Sequence, residues 1–378
     1  MKNCLIYCLI LFLGIQCRQS YLPPVTQKNY SYLVVDGFIA NGNDSTIIRL
    51  SRTTPISDSI LSVPEFGAQV AVIGDQSDIY FLSDGGNGIY YIPSLVLNSS
   101  EKYTLRIVTS NGNVYESEHL TVRASPPIDS VSWDQINPDN VNIYVTTHDP
   151  QNNTRYYKWD YTETWQYNSK FQSTLEYTGN GLIMRPPADQ ISTCWRTRNS
   201  SNILINSSEK LANDVIFKNH LLQITGPDDR LNIKYSIVVK QYAIDKNTFN
   251  YYQQLQSNSE NLGSIFGPTP SQLNGNIHNV NDASEKVIGY MNAGSISQQR
   301  IFIDYLQVPS WPLPNSFADC QQLSIGLNDV DFYFSQGSYI PIGENIVNLV
   351  LIGIWAANPE CVDCRLQGGT TMKPSFWP

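Results

Sequence analysis

Arg230-Leu-Asn-Ile-Lys-Tyr-Ser-Ile-Val-Val-Lys-Gln-Tyr242 decides the fold class. Apolar side chains occupy alternate positions through Leu231, Ile233, Tyr235 and Ile237, then run on through Val238 and Val239. A period of two built from β-branched and aromatic residues is the pattern of a strand with at least one buried face. This strand feeds the one clear helix of the chain, expected near 246–260. Asp245 or Asn247 can cap it, Phe249, Tyr252 and Leu255 with Gln256 mark one face, and Gly263 stops it.

Outward from that stretch, the chain reads as β almost throughout. Before it come Ile128–Trp133, Val141–Thr146, and a longer aromatic pair of segments, Arg155–Tyr161 and Thr162–Tyr167, expected as one hairpin. The passage from Cys194 to Val215 is less regular and rich in Asn and Ser, and strands return at Lys286–Tyr290 and Arg300–Asp304. Earlier still, about eight short strands follow one another between Tyr30 and Val122, punctuated by Asn41–Asp44, Gly74-Asp75, Asp84–Gly88 and Asn111-Gly112. That spacing fits an antiparallel sandwich resembling an immunoglobulin or transthyretin-like module. Pro126-Pro127 then stiffens a boundary. The expectation is an all-β protein: an N-terminal sandwich over 30–124, followed by a larger β-rich domain over 128–378 with one helix.

The N-terminus is of another kind. Lys2 precedes an apolar run from Leu5 to Ile15, too short to cross a bilayer as a helix but long enough for a signal-peptide core. Leu13-Gly-Ile-Gln-Cys17 resembles a bacterial lipobox, although Gln16 stands where a small residue is usual. The reading is a leader over 1–17, acylation at Cys17 and a polar, proline-broken tether over 18–29. This lipid would hold the protein to the outer membrane, on either its periplasmic or its surface face.

Composition narrows the function. The net charge of −9 argues against a nucleic-acid partner, which needs basic surface to displace phosphate counterions. Cys194, Cys320, Cys361 and Cys364 remain after the leader, an even number suited to an oxidising compartment. They allow three pairings, which the sequence does not choose among; the expectation is structural disulfides, with one tying the C-terminal tail to Cys320. The Cys361-Val-Asp-Cys364 pair lacks the βαβ setting of a redox site and the second ligand pair of a zinc site. No metal or cofactor is expected. His119, His148, His220 and His278 are far apart, and neither a nucleophile elbow nor a phosphate loop is present. Asp228-Asp229 and Asp329-Val-Asp331 could serve glycoside hydrolysis or calcium, but turns that favour Asp explain both.

Two stretches are candidate contact surfaces. Trp159, Tyr161, Trp165 and Tyr167 alternate, so one face could present several rings to a sugar, a peptide or a partner; the competing reading makes that face the core of the second domain. The loop from Gly263 to Ile277, with Phe266, Pro268 and Pro270, is the other, since long loops on rigid scaffolds often carry function.

Several segments, taken in order, carry a resemblance. They are Leu33–Ile39 with Leu50–Thr53, Cys194-Trp195, Asn202–Ile205, Asn213–Val215, Arg230–Tyr242, Gly263–Ile277 and Cys361–Trp377. Together they resemble a Bacteroidota envelope lipoprotein family known only as domain of unknown function 4249. The resemblance implies an outer-membrane lipoprotein, commonly encoded beside a TonB-dependent transporter, with no established ligand or catalytic residue. The expected function is therefore a non-catalytic partner of such a transporter in nutrient capture or delivery. A structural subunit of an envelope assembly and an unrecognised glycan or peptide hydrolase are the alternatives.

Overall fold

A computed structural model of the chain describes residues 31–54, 62–260 and 273–378. The protein is all-β, as expected. Its first sandwich pairs Leu33–Ala40 with Thr46–Thr53, which in turn pairs with Ile89–Ile92. Facing these is a second layer in which Lys102–Val108 lies between Gln69–Gly74 and Val114–Ser117. Alternate residues point inward, so Val35, Ile48 and Leu50 meet Val70, Leu105, Ile107 and Tyr115 in one core.

This sandwich is not finished by the residues that begin it. The stretch 277–294, which the sequence reading placed in the second domain, returns to it. Ile277–Asn279 pairs antiparallel with Val114–Ser117, and Val287–Ile288 pairs parallel with Leu33–Ala40. Ala293–Gly294 then runs parallel between Leu33–Ala40 and Leu120–Arg123, joining the two layers. Ile277, Val287, Met291 and Ala293 are part of the first core. A charged knot holds the returning chain: Arg52 bonds Glu65 at 2.6 Å and Glu285 at 3.3 Å, and Tyr115 donates to Glu285 at 2.8 Å.

The second sandwich sets Ile128–Asn137, Asn140–His148 and Val215–Thr225 against a larger sheet. In that sheet Tyr156–Asn168 pairs with Lys234–Ile244, which pairs with Ile296–Asp304, while Thr193–Asn199 and Leu204–Ser207 line its other edge. The segments expected as a hairpin over 155–167 form one strand of 13 residues. No Gly, Pro or Asn lies between Tyr156 and Tyr167, Asp160 alone does not make a turn, and the pairing with Lys234–Ile244 runs unbroken.

The helix, α1 (Lys246–Glu260), leaves the end of Lys234–Ile244 and leads to the returning segment. Asp245 caps it, accepting from the Thr248 amide at 2.8 Å, and Tyr251 packs against Tyr290 of the return. Two shorter helices that the sequence reading did not anticipate lie in the tail, α2 (Val330–Ser335) and α3 (Pro359–Val362). The tail also builds a sheet of Leu323–Gly326, Val350–Ala357 and Ile340–Val347. That sheet packs on the hairpin Leu175–Tyr177 and Leu182–Met184, sharing a core of Leu175, Ile325, Phe334 and Ile354.

Gly294 shows how tightly the return is threaded. A Cβ there would lie 2.2 Å from the carbonyl oxygen of Arg123. Gly294→Ala must push two strands apart, at about 1–3 kcal/mol for an overfilled site. A clear drop in the midpoint of urea unfolding is expected, and an unchanged midpoint would show that the return is loosely held.

Candidate functional site

A cleft of about 640 Å³ opens where the two sandwiches meet, within the range of small-molecule sites, which favour domain junctions. One wall is the outer face of Leu33–Ala40 and Thr46–Thr53, through Asp36, Phe38, Ile47 and Arg49. The opposite wall is the outer face of Tyr156–Asn168 and Lys234–Ile244, through Lys158, Asp160, Thr162, Lys240 and Tyr242. Tyr252 and Leu255 of α1 close one side, and residues 199–203 another.

Strand alternation places these groups. Trp159 and Tyr161 turn into the core, so Lys158, Asp160 and Thr162 between them must turn away from it. Lys158 Nζ bonds both carboxylate oxygens of Asp160 at 2.8 Å, and lies 5.0 Å from the ring centre of Tyr242 and 5.5 Å from that of Tyr252. Phe38 meets Tyr242 edge-on at 4.8 Å, so an aromatic contact spans the two sandwiches at the cleft. Burial, reinforced by the Asp160 charge, pushes the Tyr242 phenol above its ordinary range. Burial with Asp36 and Asp160 does the same to Tyr252. Both phenols stay protonated at physiological pH and can act as neutral donors. The cleft thus offers ring faces, hydroxyl and amide groups, and a paired acid and base, suited to a small neutral or zwitterionic polar molecule.

The four aromatics proposed as a contact face do not form one. Trp159, Tyr161, Trp165 and Tyr167 are all buried in the second core, the competing reading. Trp159 donates through Nε1 to Gln241 at 2.9 Å, and Tyr167 donates to the Cys364 carbonyl at 2.8 Å. Arg196 and Arg198 lie over the Trp165 ring at 5.7 and 5.9 Å. Half-buried strands favour aromatics whatever their function. Cys17, Phe266, Pro268 and Pro270 lie outside the described residues.

The cysteines pair as Cys194–Cys364 and Cys320–Cys361. The first ties the tail to the large sheet, and the second ties it to Cys320. Around them the tail end docks by Trp377, which meets Trp195 and Phe302 edge-on. Among the described residues no group of three or more His, Cys, Asp or Glu is placed to hold a metal. Asp228 and Asp331, read as turn residues, each take a partner: Asp228 binds Arg230 and Asp331 accepts from Tyr177.

Behind the cleft wall lies a charge cluster that sequence reading missed. Glu163, 1% exposed, accepts from Arg230 at 2.8 Å, Tyr235 at 2.9 Å and Arg198 at 2.8 and 3.0 Å. Arg230 also grips Asp228 at 2.7 Å. Burial alone would push the Asp228 carboxyl up, but its bonds to Arg230 outweigh that and hold it below its ordinary 3.8. The stability this carboxylate contributes is therefore full above its unfolded value and is lost as pH falls through the lower folded one. Glu163→Ala leaves Tyr235 without its acceptor and Arg230 with Asp228 alone, and a loss toward the lower end of the roughly 3–5 kcal/mol of a broken buried pair is expected in urea unfolding. A loss below about 1 kcal/mol, the range of exposed pairs, would mean that water screens the cluster.

No curated relative matches the chain. Among solved structures, a two-domain fibronectin type-III segment of chicken tenascin shares 10% identity over 57% of this chain and 92% of its own, with a TM-score of 0.17. The fibronectin domains FN1–FN3 of chicken CNTN1 share 11% over 57% and 63%, at 0.18, and the chitinase ChiA74 of Bacillus thuringiensis 14% over 48% and 30%, at 0.15. Scores this low carry no argument, and the all-β class rests on the sheets themselves. The family model described as "Domain of unknown function (DUF4249)" matches residues 18–300, and the chain belongs to that family.

Proposed function

We propose that this chain is a non-catalytic outer-membrane lipoprotein of the Bacteroidota type, anchored through Cys17, that partners a TonB-dependent transporter. In this reading it captures or delivers a small polar nutrient such as a short peptide or a sugar. The cleft between the sandwiches is the observation that carries the proposal. It is of ligand size, both of its walls are regular strands, and its acidic groups are matched by cations. Lys158 pairs with Asp160, and Arg49 lies 3.8 Å from Asp36. A site of matched charges and protonated phenols suits binding more than proton transfer, which needs a group free to change its charge. The two disulfides support a location outside the cytoplasm, where such bonds persist. The leader ending at Cys17 supports the anchor.

Affinity purification of the tagged, membrane-extracted protein, with mass spectrometry of what accompanies it, tests the proposal. A TonB-dependent transporter in stoichiometric amount is expected. Recovery of the protein alone, or with assembly factors and no transporter, would overturn the uptake role and favour a structural subunit.

A further inference from the structure

The tail sheet ends in an apolar projection that no core among the described residues covers. Strands Ile340–Val347 and Val350–Ala357 pair down to Val347 opposite Val350, and turn through Asn348 and Leu349. The third strand, Leu323–Gly326, stops where Gly326 meets Gly353. Beyond that point the hairpin stands out as two strands. Ile346, Val347, Leu349, Val350, Leu351 and Ile352 are all exposed, Leu349 by 98%. Successive residues of a strand face opposite sides, so both faces of the tip are apolar, and the turn is apolar as well. From Asn345 to Ile354 there is no charged residue.

The turn adds an independent sign. Asn348 and Leu349 both take positive φ, +48° and +65°. Such two-residue turns ordinarily carry Asn followed by Gly, because the second position is costly for a side chain with a Cβ. A leucine held in the left-handed region, with its side chain in solvent, is paid for twice, in conformation and in hydration. Side chains kept under such strain cluster at functional positions.

We propose that this tip inserts into the apolar boundary of a lipid bilayer, giving the protein a membrane contact separate from any N-terminal lipid. A protein groove would cover one face of a hairpin, whereas a fluid apolar medium wets both faces and the turn. Ile346 and Val347 are the last strand residues before the two-residue turn, so the tip reaches roughly 7–10 Å, the depth of the headgroup and acyl boundary rather than of a hydrocarbon core about 30 Å thick. The tip therefore enters one leaflet, shallow enough for its outer backbone groups to keep water and headgroups. Exposed Leu327, next in the chain to Gly326 at the base of the hairpin, extends the apolar surface toward the headgroup level. With a net charge of −9 the chain gains nothing from anionic lipid, so the driving force is apolar and zwitterionic vesicles suffice.

The test uses the full chain with Cys17→Ser, which removes the N-terminal lipid site, the Leu349→Trp and Leu349→Gly variants made in that background, and phosphatidylcholine vesicles with or without brominated acyl chains. The emission added by the new tryptophan, over that of the parent, should shift to the blue on plain vesicles and lose at least half its intensity on brominated ones. Leu349→Gly, whose backbone prefers this turn, should fold at least as stably as the parent yet float with vesicles several-fold less. An added emission that ignores lipid, or undiminished flotation of Leu349→Gly, overturns the proposal. So does a blue shift that grows with protein concentration in the absence of lipid, which would assign the tip to a second copy of the chain.

Discussion

The return of residues 277–294 to the first sandwich is the constraint on which the rest depends. A chain that had merely crossed from one domain to the next would leave two bodies on a proline-stiffened linker. Here it comes back, adds strands to both layers of the first sandwich and leaves again into Ile296–Asp304 of the second. The hydrophobic core of the first unit is then incomplete without Ile277, Val287, Met291 and Ala293, whose positions follow from the helix and strand of the second. Because backbone must lie directly on backbone, the thread demands glycine. At Gly289, where φ is +143°, a Cβ would meet the Val35 carbonyl oxygen at 2.1 Å.

A second joint works from the other side. Gln241 is fully buried; its side chain accepts from Trp159 and donates to the Pro126 carbonyl at 2.9 Å and to Thr147 at 3.1 Å. Ser125 donates to the Gln241 carbonyl at 3.2 Å. The linker between sandwiches is therefore bonded to the centre of the second one. The cleft borders both fastenings, through Asn292 of the return and through Lys240 and Tyr242 on either side of Gln241, so its walls are held in place by the packing of the two sandwiches. Tyr156–Asn168 serves both sides at once, its inward rings filling the core and its outward Lys158 and Asp160 facing the cleft.

Much of this was legible in the residues, and the failures have physical causes. Strands built from alternating β-branched and aromatic residues, such as Leu33–Ala40 and Lys234–Ile244, stand where the period of two puts them. The helix was also readable, with Asp245 one of two candidate caps, and the structure shows Asp245 accepting from the Thr248 amide. The return of 277–294 was not, because a two-residue parallel pairing such as Ala293–Gly294 leaves no periodic trace. Strands Thr193–Asn199 and Leu204–Ser207 were hidden by their polar outward residues. The aromatics from Trp159 to Tyr167 were visible, but a period of two does not say which face is wet. Had the inward face been assigned to them, Lys158 and Asp160 would have emerged as cleft residues by alternation alone. The tail sheet escaped because its most apolar run, Ile346–Ile352, is the part that no core among the described residues covers.

The central claim is that the two sandwiches and the returning segment form one cooperative unit around a fixed cleft. All seven tryptophans lie between Trp133 and Trp377, so their fluorescence reports on the second sandwich and the tail. Amide exchange of Lys102–Val108, in the middle of the first core, reports on the other. Following both through one urea titration is the most direct test. Coincident transitions with a single midpoint are the predicted result. Exchange of Lys102–Val108 that opens at a urea concentration where the tryptophans are still native would contradict it, and the cleft would then lie between two independent bodies.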